Sequence, residues 1–275
     1  MLHVDDGIAA ATVAVQAGFS RVVSVEEGLL AAKLARSQIP SVAPGLEIVG
    51  APLSDLTLSQ LGGAPADVLL SEPHFSAFQH DLPWRRFLRL WFLWHDLRAR
   101  GLLAERAVCV PAGIVVTARL AHFDDLWRSH APVSHAAGID VAAFNKLGGV
   151  DDRATWSDLC FPFDLCNYVH TLLSEPVDVF AAADLSAEAP AARQAECVLK
   201  ADGGEGRRPN AIVLSVDTWA VQGGERFAAL PQGACASLTR QAVLFLPEGG
   251  ESTDVRLKVD FKMDAGDLAA TARWE

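Results

Sequence analysis

The first 110 residues alternate short apolar runs with helical segments, and this alternation limits the fold more than any single motif does. Leu2-His3-Val4 reads as a strand, Ile8 to Ala17 as an Ala/Val-rich helix, and Gly18 as the glycine that ends it. Arg21 to Glu26 is a second strand closing on an acid, and residues 27 to 38 carry a helical pattern expected to stop before Pro40. Leu46 to Val49 and Asp67 to Glu72 return to strand, residues 84 to 100 read as helix, and Ala107 to Val110 as a strand stopped by Pro111. Strands separated by helices pair in parallel through crossovers, so this half predicts a doubly wound α/β sheet over 1–110.

After Pro111 the texture changes to short β-rich runs between Gly, Pro and Asp clusters. Strands are expected at 112–120, 177–184, 194–200, 210–219, 240–246 and 254–262, with hairpin connections at Asp202 to Gly206 and Glu248 to Glu251. A helical or loop insertion is expected near 142–165, and the Ala-rich stretch 181–195 reads as a loop. The second unit, 111–275, is therefore an antiparallel β-sandwich or barrel. No internal repeat is visible.

Composition narrows the function classes. Of 275 residues 51% are hydrophobic and 21% charged, which fits a globular protein and not a disordered one. The net charge of −11 opposes binding to nucleic acid or an anionic membrane surface and suits cationic ligands. The five cysteines form no CxxC pair, so the chain reads as reduced and intracellular. His74, His80, His95, His122, His130, His135 and His170 show no ligand spacing, and no metal site is expected. No G-x-S-x-G elbow supports a hydrolase. Entry into an apolar strand at Met1, without a leader or capping element, reads as a chain that begins within a larger unit.

Two constellations sit where α/β sheets do chemistry. The first is the turn Asp5-Asp6-Gly7-Ile8-Ala9 with Glu26 at the end of the second strand. Such a unit lets backbone approach a nucleoside while the strand-end acid binds ribose hydroxyls, although Gly7 also suits an ordinary turn and Glu26 a solvated strand end. The second is Ser71-Glu72-Pro73-His74-Phe75 followed by Asp81. Two carboxylates facing one cavity suit a planar guanidinium, while helix capping is the plainer reading of both acids. On helix 84–100, Trp84, Trp91 and Trp94 read as core or as a partner-facing stripe, and Arg85, Arg86, Arg89, Arg98 and Arg100 as the solvated face.

From Met1 to Glu26 with Gly7, Gly18 and Glu26, and from Asp67 to Glu72 with Asp81, the chain resembles the catalytic core of the protein arginine methyltransferases. The likeness extends through Leu82-Pro83-Trp84, Cys109-Val110-Pro111, Leu126-Trp127-Arg128, Gly138-Ile139-Asp140-Val141, Leu173-Ser174-Glu175-Pro176 and Gln241-Ala242-Val243. It is closest to the second, C-terminal module of a tandem member of that family. The resemblance implies a Rossmann-like class I methyltransferase domain followed by a β-barrel, with S-adenosylmethionine as cofactor and a target arginine held between the two.

Under that resemblance Asp5, Gly7 and Ala9 take the places of the cofactor-loop glycines, Glu26 that of the ribose-binding acid, and Glu72 and Asp81 those of the two catalytic acids. The carboxylates would fix the guanidinium so that its nitrogen lone pair meets the sulfonium methyl in line. Asp5 and Ala9 replace glycines, Asp81 is one methylene short, and Ser237-Leu238-Thr239 lacks the family's Thr-His-Trp. The expectation is a degenerate, pseudoenzyme-like module completing a pseudo-dimer around an active catalytic module. The alternatives are an active enzyme using Glu72 and Asp81, and a non-catalytic acidic module binding Arg-rich peptides. Expected substrates are Arg-containing proteins such as histones or Gly/Arg-rich segments, and the expected location is cytoplasmic or nuclear.

Overall fold

The computed structural model describes residues 1–4, 8–71, 82–130, 133–147, 160–182, 184–186, 194–202, 206–228, 240–246, 252–262 and 266–275. Its first half is a five-stranded sheet of β1 (Leu2–Val4), β2 (Val22–Val25), β3 (Leu46–Val49), β4 (Ala66–Ser71) and β5 (Leu103–Val110), in the order β3-β2-β1-β4-β5. All four pairings are parallel. β1 lies at the centre with every residue buried, as its apolar sequence requires of a strand covered on both faces.

Side chains alternate across β1. Leu2 and Val4 join a core with Trp84, Phe87, Leu88 and Trp94 of α3 (Pro83–Ala99). The other face of the sheet packs, through Val22, Leu46 and Ile48, on Ala11 and Ala14 of α1 (Ala9–Gln16) and Ala32 of α2 (Leu29–Val42). Helix α1 stops in a Schellman turn: Gly18 adopts φ +96°, its N–H donates to Val15 O (3.0 Å), and Phe19 N–H donates to Ala14 O (3.2 Å).

Two expectations are corrected here. Helix α2 runs through Pro40 to Val42 rather than stopping before the proline. Proline removes one N–H bond and crowds the carbonyl four residues back, and with only two residues after it the loss falls on the frayed last turn. Strand β5 starts at Leu103, four residues before the expected 107. Its Glu105 and Arg106 are exposed because β5 is an edge strand, where charge is tolerated and useful.

The antiparallel half begins at β6 (Gly113–Phe123), directly after a cis Val110–Pro111 peptide. A short helix α4 (Asp125–His130), a small hairpin of β7 (His135–Ala136) and β8 (Ile139–Asp140), and helix α5 (Ala142–Leu147) follow. The remaining strands are β9 (Cys160–Phe163), β10 (His170–Leu172), β11 (Val177–Ala182), β12 (Gln194–Leu199), β13 (Ala211–Trp219), β14 (Arg226–Phe227), β15 (Gln241–Phe245), β16 (Val255–Lys262) and β17 (Asp267–Trp274).

One seven-stranded sheet has the path β10-β6-β13-β15-β9, with β11 on β6 and β14 on β13, and β12-β16-β17 form a second sheet. The antiparallel expectation is met as sheets; among the described residues no closed barrel forms. Strand β9 falls inside the expected insertion at 142–165. It carries Pro162 and among the described residues pairs only with β15, so the proline sits on an edge strand. Strands β10 and β17 were not expected either.

The two halves share one core. Trp84 Nε1 donates to Asp267 Oδ1 (2.8 Å), and Arg85 Nη2 pairs with Asp267 Oδ2 (2.7 Å), so the start of α3 is tied to β17.

Candidate functional site at the strand ends

In a sheet of this order the connections turn in opposite directions on either side of β1 and β4, and the carboxyl ends of the strands open a crevice there. A cavity of about 620 Å³ occupies it. Its floor is Val4, Val25 and Ser71 at the ends of β1, β2 and β4. One wall is Glu26, Glu27, Gly28 and Ala31, where β2 passes into α2, with Leu53 beyond β3. The opposite wall is a single face of α3: Arg86, Arg89, Leu90 and Leu93, at i, i+3, i+4 and i+7.

Glu26 is held at both ends of its residue. Its N–H donates to Val49 O (2.9 Å), extending the β2–β3 ladder by one bond, and its Oε1 accepts from Gly28 N–H (3.4 Å). The residue is buried yet lines the cavity, so the carboxylate faces a confined space rather than bulk water. Glu27 Oε1 accepts from Leu53 N–H (2.9 Å), which pins the apolar side of the cavity to the acidic side. A carboxylate so placed accepts two hydrogen bonds from a vicinal diol, and the apolar residues beside it fit a flat base.

The structure places two of the sequence-derived candidates. Glu26 lines the cavity. Ala9 opens helix α1, is exposed, and does not line the cavity. Asp5, Gly7, Glu72 and Asp81 lie outside the described residues, as do Ser237, Leu238, Thr239 and Cys235.

Of the α3 arginines read as a solvated face, Arg89 is exposed and Arg85, Arg86, Arg98 and Arg100 are partly buried. Arg86 and Arg89 line the cavity, and Arg85 binds Asp267. Arg98 Nη1 donates to Ala104 O and to Glu105 O (2.6 Å), and Arg100 donates to the carbonyls of Leu53, Ser54 and Leu56. Backbone acceptors at the rim of the parallel sheet absorb these cations, which helix periodicity alone does not reveal. Sequence reasoning also passed over Glu27 and Leu53.

His3 was read only as a strand residue. It is fully buried on the α1–α2 side of β1, with Nδ1 2.8 Å from Ser24 Oγ. Burial pulls its pKa down to about 4, so the ring is neutral, and its Nε2 has no hydrogen-bond partner among the described residues. Cys109 and Cys160 are free thiols pushed up to about 12 by burial, which keeps them protonated and unreactive. Among the described residues no helix is long and apolar enough to cross a membrane, and no three His, Cys, Asp or Glu gather as metal ligands.

A second polar cavity, of about 660 Å³, lies on the seven-stranded sheet between β6, β11 and β13. Arg226 is paired within it, and Arg119 also lines it. Arg226 Nη2 lies 2.7 Å from Asp178 Oδ1 and 2.9 Å from Asp217 Oδ2, and its hydrogen bonds to Asp178, then the Asp217 charge, raise its pKa. Buried Thr117 and Ser215 bond each other across the ladder at 2.7 Å.

No family model matches the chain. Protein arginine N-methyltransferase 7 of Danio rerio is 28% identical over 183 residues, 65% of this chain and 26% of the relative. Protein arginine N-methyltransferase 1.6 of Arabidopsis thaliana is 32% identical over 99 residues, 35% of this chain and 13% of the relative. The chain is related to the protein arginine N-methyltransferases. It spans about a quarter or less of the length of those curated relatives. Two solved arginine methyltransferase structures share its fold. The Trypanosoma brucei PRMT1 enzyme-prozyme heterotetrameric complex with AdoHcy superposes with a TM-score of 0.69 at 15% identity, over 100% of this chain and 84% of that one. Protein arginine methyltransferase 10 of Arabidopsis thaliana, in an open conformation, gives 0.69 at 16% identity over 99% and 84%.

Proposed function

We propose that this chain is an S-adenosylmethionine-binding methyltransferase module that works beside a catalytic arginine methyltransferase module, on Arg-containing protein segments such as histone or Gly/Arg-rich tails. The observation that carries the reading is the strand-end cavity with the buried Glu26 carboxylate on its wall. The cofactor supplies a methyl group on a sulfonium centre. The chain's own part is to hold the nucleoside: Glu26 accepts from the ribose hydroxyls, while Leu53 and Leu90 exclude water from the base. Glu72, next in sequence to the cavity-lining Ser71, and Asp81 are the acids that would grip a guanidinium.

The partner is supported by the apolar surface. Leu29, Leu30 and Leu34 of α2 are 77%, 71% and 56% exposed, and Ile139 and Phe144 after β6 are 67% and 71% exposed. Apolar side chains so placed on outward faces fit burial against a second module. The Trypanosoma brucei enzyme-prozyme complex, which shares the fold, is an assembly of this kind.

Calorimetric titration with S-adenosylmethionine tests the reading. Binding that Glu26→Ala abolishes supports it. A folded chain that takes up no nucleoside at millimolar concentration contradicts it.

A further inference from the structure

The cavity on the seven-stranded sheet holds more hydrogen-bond donors than its own acceptors use. Strand register sets Thr117 of β6 between Asp178 of β11 and Ser215 of β13, and Arg119 follows Thr117 on the same face, diagonal to Ser215. The acids are taken. Both oxygens of Asp178 accept from Arg226 Nη1 and Nη2 (3.0 and 2.7 Å), and Asp217 Oδ2 accepts from Arg226 Nε (2.9 Å), so Arg226 is committed to the strands.

Arg119 is different. It is partly buried, lines the cavity, and makes no hydrogen bond or ion pair among the described residues. Beside it, Thr117 and Ser215 are 3% and 6% exposed and share one hydrogen bond. Two hydroxyls carry two protons and their mutual bond uses one, so the other O–H has no acceptor among the described residues. A buried donor left without an acceptor is costly, and an oxygen entering the cavity removes that cost.

We propose that Arg119 and the Thr117–Ser215 hydroxyl pair form a carboxylate subsite, and that its occupant is a Glu or Asp side chain on a protein segment lying over the seven-stranded sheet. The guanidinium offers parallel N–H donors and the hydroxyl a third. Arg226 with Asp178 and Asp217 sums to one negative charge, which a monoanionic carboxylate tolerates better than a dianionic phosphate. Pro176, Val177 and Ala228 also line the cavity and give the chain flanking the acid apolar contact. The assignment is independent of the nucleoside reading of the strand-end crevice.

The test titrates the full chain with acetyl-Gly-Ser-Glu-Ser-Gly-amide, with its Gln and phosphoserine counterparts in place of Glu, and with N-acetylglutamic acid α-amide. Binding is followed by NMR at the Arg119 Nε–H and at the amides of 115–119 and 213–217. The same titrations are run on Arg119→Gln, Arg119→Lys and Ser215→Ala, after melting curves verify that each variant folds.

The Glu peptide is expected to bind about tenfold more tightly than the Gln peptide and to shift the Arg119 Nε–H. Arg119→Gln should abolish that preference, Arg119→Lys should keep part of it through the charge alone, and Ser215→Ala should reduce it. Equal binding of the Glu and Gln peptides, a preference that survives Arg119→Gln, or no binding of any peptide at millimolar concentration overturns the subsite. Tighter binding of the phosphoserine peptide overturns the carboxylate assignment. Equal binding of the free N-acetylglutamic acid α-amide overturns the protein segment as occupant.

Discussion

The two halves of the molecule use their charged residues differently. At the strand ends of the parallel sheet, Glu26, Glu27, Arg86 and Arg89 line a cavity. On the seven-stranded sheet the same residue types neutralise each other, Arg226 between Asp178 and Asp217, with Thr117 on Ser215 beside them. Charged side chains that line a cavity at the switch point stand beside the space a ligand would enter. Charges already paired contribute to holding strands in register. Backbone geometry underlies the contrast: parallel strands with crossover helices leave a crevice at the switch point, whereas adjacent antiparallel strands bring side chains directly opposite one another.

The largest stability effect is expected on the paired side. Arg226→Ala leaves the Asp217 carboxylate without its cation where it is nearly buried, and should cost about 3 kcal/mol in urea unfolding. Asp178→Ala should cost far less, because that carboxylate is mostly exposed. A small effect of Arg226→Ala would blur the distinction between the halves.

His3 sharpens it from the other side. Its folded pKa of about 4 lies below the ordinary 6.5, so below pH 6.5 the unfolded chain takes up a proton that the folded chain refuses. Stability from this group is therefore intact at neutral pH and falls as pH drops from about 6.5 to about 4, by up to about 3 kcal/mol. His3→Gln should flatten that part of the acid limb in unfolding curves measured against pH. Next in size, Glu26→Gln should weaken S-adenosylmethionine binding by about 2 kcal/mol while moving stability by less than about 1 kcal/mol, the pattern of a ligand group and not of a structural pair. Arg256→Ala should be smallest. Its pairs with Glu196 and Glu275 lie in solvent on the three-stranded sheet, and the thermal midpoint should not move measurably in moderate salt.

How much of this was legible in the sequence follows the range of the interactions. Strands β1 to β4 and helix α1 were readable because each is a short apolar run ended by local chemistry, as at Gly18. The acid at Glu26 was readable for the same reason: it terminates a strand. β17 was not, since Asp267 to Trp274 is rich in alanine and becomes a strand only by pairing with β16. The proline in β9 hid a strand whose edge position is fixed by β15. Arg86 and Arg89 could not be told from Arg98 and Arg100 by helical spacing. Which faces the cavity depends on the crossover placing α3 over β1, and on carbonyls more than forty residues away that capture Arg100.

Under the proposed function the parallel half holds a ligand site and the antiparallel half a structural charge pair. Hydrogen–deuterium exchange with and without saturating S-adenosylhomocysteine tests it most directly. Slower exchange is expected in peptides covering 22–34 and 84–94, with no change in peptides covering 113–120 and 211–228. Protection confined to the latter pair, or no protection anywhere in the chain, would contradict it.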